Sequence, residues 1–277
     1  MLKESTIEKN IWIFWYQGWD KAPYLIKECR DSWIKNNPSW KIHLLDIFSI
    51  KEFLDFKLDE RFLSHLSIAH LSDLIRLELL EKFGGIWVDA SLFCLIPLDH
   101  WIYKYLKSGI FLFESNTRLT IIANWFIAAK SKHITIILLK KNLLEYWEKN
   151  NFKKINLWRR ILRKVFNPLL NFNIFTARLW FNPIFTKIIK IYPYQIFYFM
   201  FENILKSNKL QKSIWEKTPK LNKYICWPYQ DENENISKEL IKRIENEFVP
   251  ILKLNWRGYR KNNLSKDSLL NYLKNIN

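Results

Sequence analysis

The sequence predicts an α/β fold, in which a sheet with parallel neighbouring strands is flanked by helices. Short apolar runs rich in Val, Ile, Trp and Phe alternate with amphipathic segments along the first part of the chain. Their order is strand, helix, strand, helix, helix, strand, which is typical of an α/β sheet. A glycine pair, Gly84-Gly85, follows the longest helical segment, where a glycine C-cap belongs. In such a sheet, ligands bind beyond the carboxyl ends of the strands.

Each element is predicted from its own apolar pattern and its boundary residues. In chain order, these are a strand at Asn10–Gln17, a helix at Ala22–Lys35 with Pro23 in its first turn, a strand at Trp40–Asp46, a short helix at Ser49–Phe56, a long helix at His65–Phe83, strands at Phe83–Phe93, Ile110–Glu114 and Thr120–Ala128, a helix at His133–Lys149, a helix at Ile236–Phe248 and a strand at Val249–Leu254.

The run Phe83–Phe93, FGGIWVDASLF, carries one carboxylate in a pattern typical of a buried strand. A lone acid in such a strand costs several kcal/mol unless it is paired, binds a metal or lies at the end of the strand. Asp89 therefore has either a partner or a function. The predicted topology places it near a carboxyl strand end, where ligands bind.

Composition limits the class of protein. At 277 residues with 49% hydrophobic and 17% aromatic residues, the chain can bury a large core. The formal charge of +17 implies attraction to phosphate in nucleic acid, nucleotides or an anionic membrane. Three widely spaced cysteines favour a reducing compartment and no thiolate metal site. The first residues lack the apolar core of a signal peptide, and no apolar run is long enough to cross a bilayer, so a cytoplasmic location is expected.

Residues 149–201 combine many cations and aromatic residues with no acid. If Lys153–Val165 forms a helix, its apolar side chains lie near one face and its basic side chains lie largely elsewhere. The apolar set is Ile155, Trp158, Ile161, Leu162 and Val165, and the basic set is Lys154, Arg159, Arg160, Arg163 and Lys164. Three interpretations are open: a nucleic-acid surface, a platform on a membrane surface, or a helical subdomain with a basic exterior.

Asp73 and Arg76 lie three residues apart in the predicted long helix, so they share a face. Both precede the glycine pair, and this arrangement can bring them beside the end of the Asp89 strand. The alternative is a surface ion pair that contributes about 0.2–0.5 kcal/mol.

The segment AHLSDLIRLELLEKFGGIWVDAS, Ala69–Ser91, resembles the signature of the family 32 sugar-nucleotide glycosyltransferases, and more narrowly the bacterial capsular polysaccharide synthesis proteins. In that group an S/A-D-x-x-R helix precedes a G-G-x-(Y/W)-x-D-x-D or G-G-x-W-x-D-A-(S/T) strand. WIFWYQGW and SWIKNNPSWKIHLLD are similar to the family's first strand and the helix and strand after it. The resemblance covers Asn10–Leu98, and KLNWRGY, Lys253–Tyr259, is similar to a C-terminal family segment.

The resemblance implies a GT-A fold, a Rossmann-like mixed sheet flanked by helices, with a mostly helical basic-aromatic insertion. Residues 1–277 would form a single glycosyltransferase domain, and 149–210 a helical subdomain that serves as a membrane or acceptor platform. The implied donor is a UDP-sugar, transferred with retention of the anomeric configuration.

The family motif also assigns roles. Trp15 matches the aromatic residue that stacks on uracil, Asp73 and Arg76 the pair that holds sugar hydroxyls, and Asp89 the first D-x-D acid, which contacts ribose and metal. Asp73, Arg76 and Asp89 are the candidate catalytic residues. Further candidates for donor binding are Gln17, Ser91, Asn124, Asn255 and Trp256. For Asn124 a structural role is the alternative. Asn255–Arg257 can form a lid over the diphosphate, for which Arg257 and Lys253 are chemically suited, and a solvated basic tail is the alternative.

Ser91 stands where the second acid of the D-x-D motif would be. The resemblance implies a divalent cation, Mn²⁺ or Mg²⁺, with Asp89 and Ser91 as the candidate ligands. A neutral hydroxyl is a poor replacement for a carboxylate toward a hard cation. Two alternatives stay open: a further ligand from elsewhere in the chain, or partial replacement of the metal by Lys and Arg.

The predicted function is therefore that of a glycosyltransferase, peripheral on the inner face of the cytoplasmic membrane. It would move a hexose from a UDP-sugar to a lipid-linked capsular or lipopolysaccharide glycan, with no nucleic-acid partner. No nucleophile is assigned, since front-face departure needs positioning and charge stabilisation more than side-chain chemistry. The alternatives are a non-catalytic basic protein that binds nucleic acid or anionic membrane, and an inverting or metal-independent transferase with another donor.

Overall fold

The centre of the computed structural model is a five-stranded mixed sheet. The structure describes residues 6–56, 66–150, 152, 156–259 and 264–276. The strands of this sheet are β1 Asn10–Phe14, β2 Lys41–Leu45, β3 Gly85–Asp89, β5 Ile110–Glu114 and β6 Ile122–Ala129. Their order across the sheet is β2-β1-β3-β6-β5. A second sheet pairs β4 Leu92–Cys94 with β7 Ile251–Lys253.

Helices flank the central sheet. The α-helices are α1 Tyr24–Asn36, α2 Ile68–Phe83, α3 Ile134–Asn150, α4 Leu157–Leu170, α5 Ile174–Ala177, α6 Ile196–Ser207, α7 Lys209–Lys217, α8 Lys238–Asn246 and α9 Leu269–Ile276. A π-helix spans Ile184–Ile189, and short 3₁₀ helices span Trp19–Lys21, Ser49–Glu52, Leu98–His100, Ile102–Tyr105, Arg178–Phe181 and Lys223–Cys226. The predicted α/β class and mixed sheet are confirmed.

The alternation of side chains along β1 and β3 divides the core into two layers. Ile11 and Ile13 face the cluster that contains residues of α1 and the second sheet, whereas Trp12 faces the cluster built with α2, α3 and α6. Period-two alternation of this kind is expected when both faces of a strand are covered.

The register of the parallel strands fixes the position of the cleft described below. β1 runs parallel to β2 and β3, and Phe14 pairs with both Leu45 and Asp89. The three strands therefore end at the same edge of the sheet, with Asp89 at the carboxyl end of β3. β6 is antiparallel to β3 and to β5.

The glycine pair connects α2 directly to β3. Gly84 caps the helix with φ 61°, and Gly85 has φ 96°, conformations that favour glycine. A Cβ atom on Gly85 would lie 2.8 Å from the Cβ of Asn10 and closer still to its carbonyl oxygen. The absence of a side chain at this position thus allows β3 to approach β1.

Some predicted boundaries were wrong. The strand predicted through Phe93 ends at Asp89, and Leu92–Cys94 pairs instead with β7. That partner lies about 160 residues away along the chain, so the local pattern carries no sign of it. The helix predicted over Ser49–Phe56 is a 3₁₀ turn over Ser49–Glu52. The long helix begins at Ile68, and its predicted first residue, His65, lies outside the described residues.

The basic-aromatic region is helical where the structure describes it. It comprises α4, α5, the π-helix and α6, around a small core of Leu170, Ala177, Trp180, Ile191 and Phe199. Lys153, Lys154 and Ile155 of the predicted amphipathic segment lie outside the described residues. Across the described parts of the chain, no helix is long and apolar enough to span a membrane.

Candidate functional site

A cleft of about 480 Å³ opens at the carboxyl edge of the parallel strands. Its walls are formed by the segment after β1, the first half of α2, the end of β3, and the segment that begins with the last residue of β7. Binding sites for small molecules usually have volumes of about 300–1,000 Å³. All nine residues predicted to bind donor, cofactor or metal line this cleft: Trp15, Gln17, Asp73, Arg76, Asp89, Ser91, Asn124, Asn255 and Trp256.

Asp89 has partners on both carboxylate oxygens. Oδ1 accepts hydrogen bonds from Trp87 Nε1 at 3.0 Å and Arg76 Nη2 at 3.5 Å, and Oδ2 accepts one from Lys253 Nζ at 3.2 Å. Burial acts to raise the pKa of Asp89, but the charges of Lys253 and Arg76 outweigh it and lower the pKa below its ordinary value. The side chain stays 29% exposed, so an ionised carboxylate faces the cleft.

Arg76 is buried, and its guanidinium makes contacts on all three nitrogens. Nε donates to the carbonyl of Ser72 at 3.2 Å, Nη1 to the carbonyl of Asn124 at 2.5 Å, and Nη2 to Ser72 Oγ at 3.3 Å. Ion pairs to Asp73 at 3.3 Å and Asp89 at 3.5 Å complete the set, and the side chain is only 4% exposed. Since a guanidinium has five N–H donors, these contacts leave Arg76 little capacity for a ligand. Arg76 therefore positions the two carboxylates.

Asp73 is the acid at the other end of this network. Its Oδ1 accepts from Asn124 Nδ2 at 2.9 Å, while Asn124 Oδ1 accepts from the Tyr198 hydroxyl at 2.5 Å. Burial raises the pKa of Asp73 to about 7, and the charge of Arg76 limits that rise. The surface ion pair considered from the sequence is excluded, because both Asp73 and Arg76 are buried. Asn124 is an integral part of the polar network.

Lys253 lies at the candidate metal site. Its Nζ is 3.2 Å from Asp89 Oδ2 and 2.9 Å from Ser91 Oγ, the two predicted ligand groups. An ion that shared these oxygens would lie close to the ammonium, and a doubly charged ion about 4 Å from it is disfavoured by about 8 kcal/mol at an effective dielectric of 20. Within the described ranges, no group of three or more His, Cys, Asp or Glu is placed to hold a metal. This donor set does not fit a divalent cation.

Two tryptophans form the far wall of the cleft. The Trp15 and Trp256 rings meet edge to face, with centroids 5.2 Å apart and planes at 83°. Trp15 Nε1 is buried with no hydrogen-bond partner among the described residues, although buried polar groups are usually satisfied. Arg257 extends beside Trp256, with its guanidinium 5.6 Å from that ring. The wall therefore offers aromatic faces to the cleft.

The structure adds residues that the sequence did not single out. Tyr194 and Tyr198 line the cleft from the start of α6, within the region that matches the family only loosely. Glu232 is buried and accepts a hydrogen bond from the backbone N–H of Asn255, which fixes the segment after β7. Apart from the four-residue spacing of the two tyrosines, no local pattern indicated these residues.

Known glycosyltransferases match part of the chain in sequence. O-glycosyltransferase braB of Annulohypoxylon truncatum is 28% identical over 145 residues, which are 45% of this chain and 34% of that protein. Glycosyltransferase afumC of Aspergillus fumigatus is 27% identical over 147 residues, 46% of this chain and 38% of that protein. The matched regions thus span little more than a third of these curated relatives.

Among solved structures, PaToxG Glycosyltransferase overlaps with a TM-score of 0.39 and 13% identity, covering 88% of this chain and 86% of that chain. The profile of the family described as capsular polysaccharide synthesis protein matches residues 2–159, more than half of the chain. This match contains the helix with Asp73 and Arg76 and the strand with Asp89, so the resemblance predicted from the sequence is confirmed. The chain belongs to the capsular polysaccharide synthesis protein family.

Proposed function

We propose that the protein is a glycosyltransferase of GT-A type that transfers a hexose from a UDP-sugar, with retention, to a lipid-linked glycan. One observation carries the proposal: a family-specific acid, Asp89, is held ionised at the floor of a cleft between two cations, Arg76 and Lys253. An enzyme of this class must bind a diphosphate and stabilise the charge that develops on it. Lys253 and Arg257, which line the cleft, are the cations that can serve this purpose, while Arg76 holds Asp89 in place.

In the transfer, the bond between the sugar C1 and the diphosphate oxygen breaks, and its electron pair stays on the diphosphate. The acceptor hydroxyl oxygen forms the new bond to C1, and its proton passes to the departing diphosphate oxygen. No side chain has to act as a nucleophile in this scheme. The contribution of the protein is to orient donor and acceptor and to stabilise the leaving group.

The tryptophan wall suits the base and ribose of the donor. Trp15 follows β1 and lines the cleft, where its ring offers an aromatic face to a base. Asp73 on α2 and Asn124 on β6 also line the cleft, where a carboxylate and an amide can hold sugar hydroxyls. This assignment places the nucleoside near Trp15 and Trp256 and the hexose near α2.

The helical insertion supports a lipid-linked acceptor at an anionic membrane surface. An apolar stripe on α4 is exposed, with exposed fractions of 65% for Trp158, 45% for Ile161 and 53% for Val165. Arg160 and Lys164, both exposed, flank this stripe. The π-helix adds Ile188, which is 74% exposed. An exposed apolar stripe beside cations in a region without acids is complementary to anionic headgroups and acyl chains.

A thermal-shift screen tests the donor class. The panel is UDP, UDP-glucose, UDP-galactose, UDP-N-acetylglucosamine and GDP-mannose, with GMP as a control that lacks the diphosphate. A ligand that binds only the native state at 100 times its Kd adds about 2.7 kcal/mol to the free energy of unfolding. We expect UDP and at least one UDP-sugar to raise the Tm. Stabilisation by GDP-mannose alone would overturn the UDP assignment, and no response to any diphosphate would overturn the proposed function.

A further inference from the structure

We infer that Lys253 takes the place of the divalent cation, so that its ammonium group, and not a metal ion, faces the diphosphate of the donor. This inference rests on the proposed function. It concerns a residue at the end of β7, more than 160 positions after Asp89 in the sequence. The structure brings the two together because β7 pairs with β4, with Lys253 opposite Leu92.

The position of the ammonium carries the inference. Lys253 Nζ contacts Asp89 at 3.2 Å and Ser91 at 2.9 Å, the two side chains that would otherwise be metal ligands. The hydroxyl oxygen of Ser91 accepts a hydrogen bond from an ammonium group as readily as other neutral oxygens do. The same oxygen is a weak ligand for a hard cation. The replacement of the second acid of the motif by Ser91 is thus explained by a lysine on the neighbouring strand.

Lys253 has a donor left for a ligand. An ammonium carries three N–H groups, and two are directed at Asp89 and Ser91. Lys253 lines the cleft, and its side chain is 19% exposed. The third N–H can therefore donate to a phosphate oxygen while the other two stay bonded to protein.

The lysine is also fixed in place, as an electrostatic catalyst must be. The backbone N–H of Leu254 donates to the carbonyl of Ser91 at 3.0 Å, which continues the β4–β7 pairing past Lys253. The backbone of Lys253 belongs to a strand, and its ammonium group lies between two hydrogen-bond acceptors. Little reorganisation is then needed when charge develops on the leaving diphosphate.

The charges that line the cleft also favour binding of a diphosphate without a metal ion. Among the residues that the structure describes, the charged side chains lining the cleft are two acids, Asp73 and Asp89, and three bases, Arg76, Lys253 and Arg257. Arg257 is exposed at the mouth, next to Trp256. The bases already exceed the acids, so an anionic diphosphate can enter without bringing a metal ion.

Calorimetric titration with UDP, in buffer with EDTA and in buffer with Mn²⁺, tests the inference. We expect the Kd of the parent protein to agree within about twofold between the two buffers. Lys253→Met, which keeps length without charge, should weaken binding at least about tenfold in both buffers, since an ion pair to phosphate is lost. Lys253→Arg should retain most of the affinity, and Lys242→Met, at an exposed lysine of α8, should match the parent.

Tightening of UDP binding by Mn²⁺ of tenfold or more in the parent protein would overturn the inference and leave the proposed function standing. Absence of UDP binding in both buffers would overturn the proposed function and the inference with it. The parent titration requires no variant, so it shows whether UDP binding needs a metal ion even if Lys253→Met fails to fold. A folded Lys253→Met protein that binds UDP as tightly as the parent would overturn the role of Lys253. Circular dichroism of each variant separates loss of the ligand contact from loss of structure.

Discussion

At the scale of single residues, Asp73 gives the site a pH dependence. Burial raises the pKa of Asp73 to about 7, so its carboxyl group changes from neutral to ionised across the neutral range. An ionised carboxylate accepts hydrogen bonds from sugar hydroxyls more strongly than a neutral acid does. We expect kcat/KM for the donor to rise about tenfold from pH 6 to pH 8, as the ionised fraction grows.

Asp73→Asn is the matched variant for this prediction. The amide has the shape of the acid and no charge in this range, so we expect lower activity without the rise. The pH dependence is measured by plotting kcat/KM against pH for the parent protein and for Asp73→Asn. Titration of the substrate itself affects both curves equally and cancels in their ratio. Curves of the same shape would show that another group titrates.

The sequence predicted which residues form the site, but not every role that they have there. The family motif identified Asp73, Arg76 and Asp89, and all three lie together as expected. The motif suggested that Arg76 holds sugar hydroxyls, but the donors of Arg76 are occupied by protein acceptors. Saturation of a side chain by its neighbours depends on backbone carbonyls from two segments, and spacing in the sequence does not show this.

At the scale of elements, the turn from α2 to β3 controls the position of Asp89. Gly85 has φ 96°, and an added Cβ would lie 2.8 Å from the Cβ of Asn10 on β1. Gly85→Ala should therefore separate β3 from β1 and displace Asp89, besides straining the backbone. Gly109→Ala is the control, because Gly109 has φ 80° but its nearest contact would be 3.3 Å away, on the His133 ring.

The expected result is a loss of about 1–3 kcal/mol of unfolding free energy from backbone strain in either variant, with a larger loss for Gly85→Ala. Urea unfolding measures both values. Only Gly85→Ala should also weaken UDP binding, because Asp89 follows four residues later on the same strand. Equal stabilities for the two variants would contradict the packing role of Gly85.

Elements with strong local signals were predicted well, and the others were not. Ile110–Glu114 matches its predicted bounds, and α1, β2, α3 and β6 differ from theirs by only a few residues. The strand predicted at Val249–Leu254 is present as β7, but its pairing with β4 was missed because β4 has three residues and lies far away in the sequence. The contact between Lys253 and Asp89 depends on that pairing, so it was beyond a prediction based on local periodicity.

At the scale of the whole molecule, the basic-aromatic insertion should direct the protein to anionic membranes. We expect co-sedimentation with phosphatidylglycerol vesicles, weaker binding to phosphatidylcholine vesicles, and release at high salt. The double variant Ile161→Asp and Val165→Asp should reduce partitioning at least about tenfold, because two half-exposed aliphatic side chains are lost from the α4 stripe.

Phe48→Asp serves as the control for this measurement. Phe48 is 74% exposed but lies in the first part of the chain, outside the insertion, so its replacement should leave vesicle binding unchanged. Equal loss in the control and the double variant would contradict a specific surface on α4. Binding of duplex DNA with no binding of anionic vesicles would favour the nucleic-acid interpretation of residues 149–201 instead.

If the cleft at Asp89 transfers sugar from a UDP-sugar, the protein should release UDP. Each UDP-sugar of the panel is incubated with the parent protein, Asp89→Asn and Asp20→Asn, the last at an exposed acid outside the cleft. We expect UDP release by the parent and by Asp20→Asn, and a loss of at least about 100-fold in Asp89→Asn with an unchanged circular dichroism spectrum. An Asp89→Asn protein that releases UDP at the rate of the parent would rule out this role for the cleft.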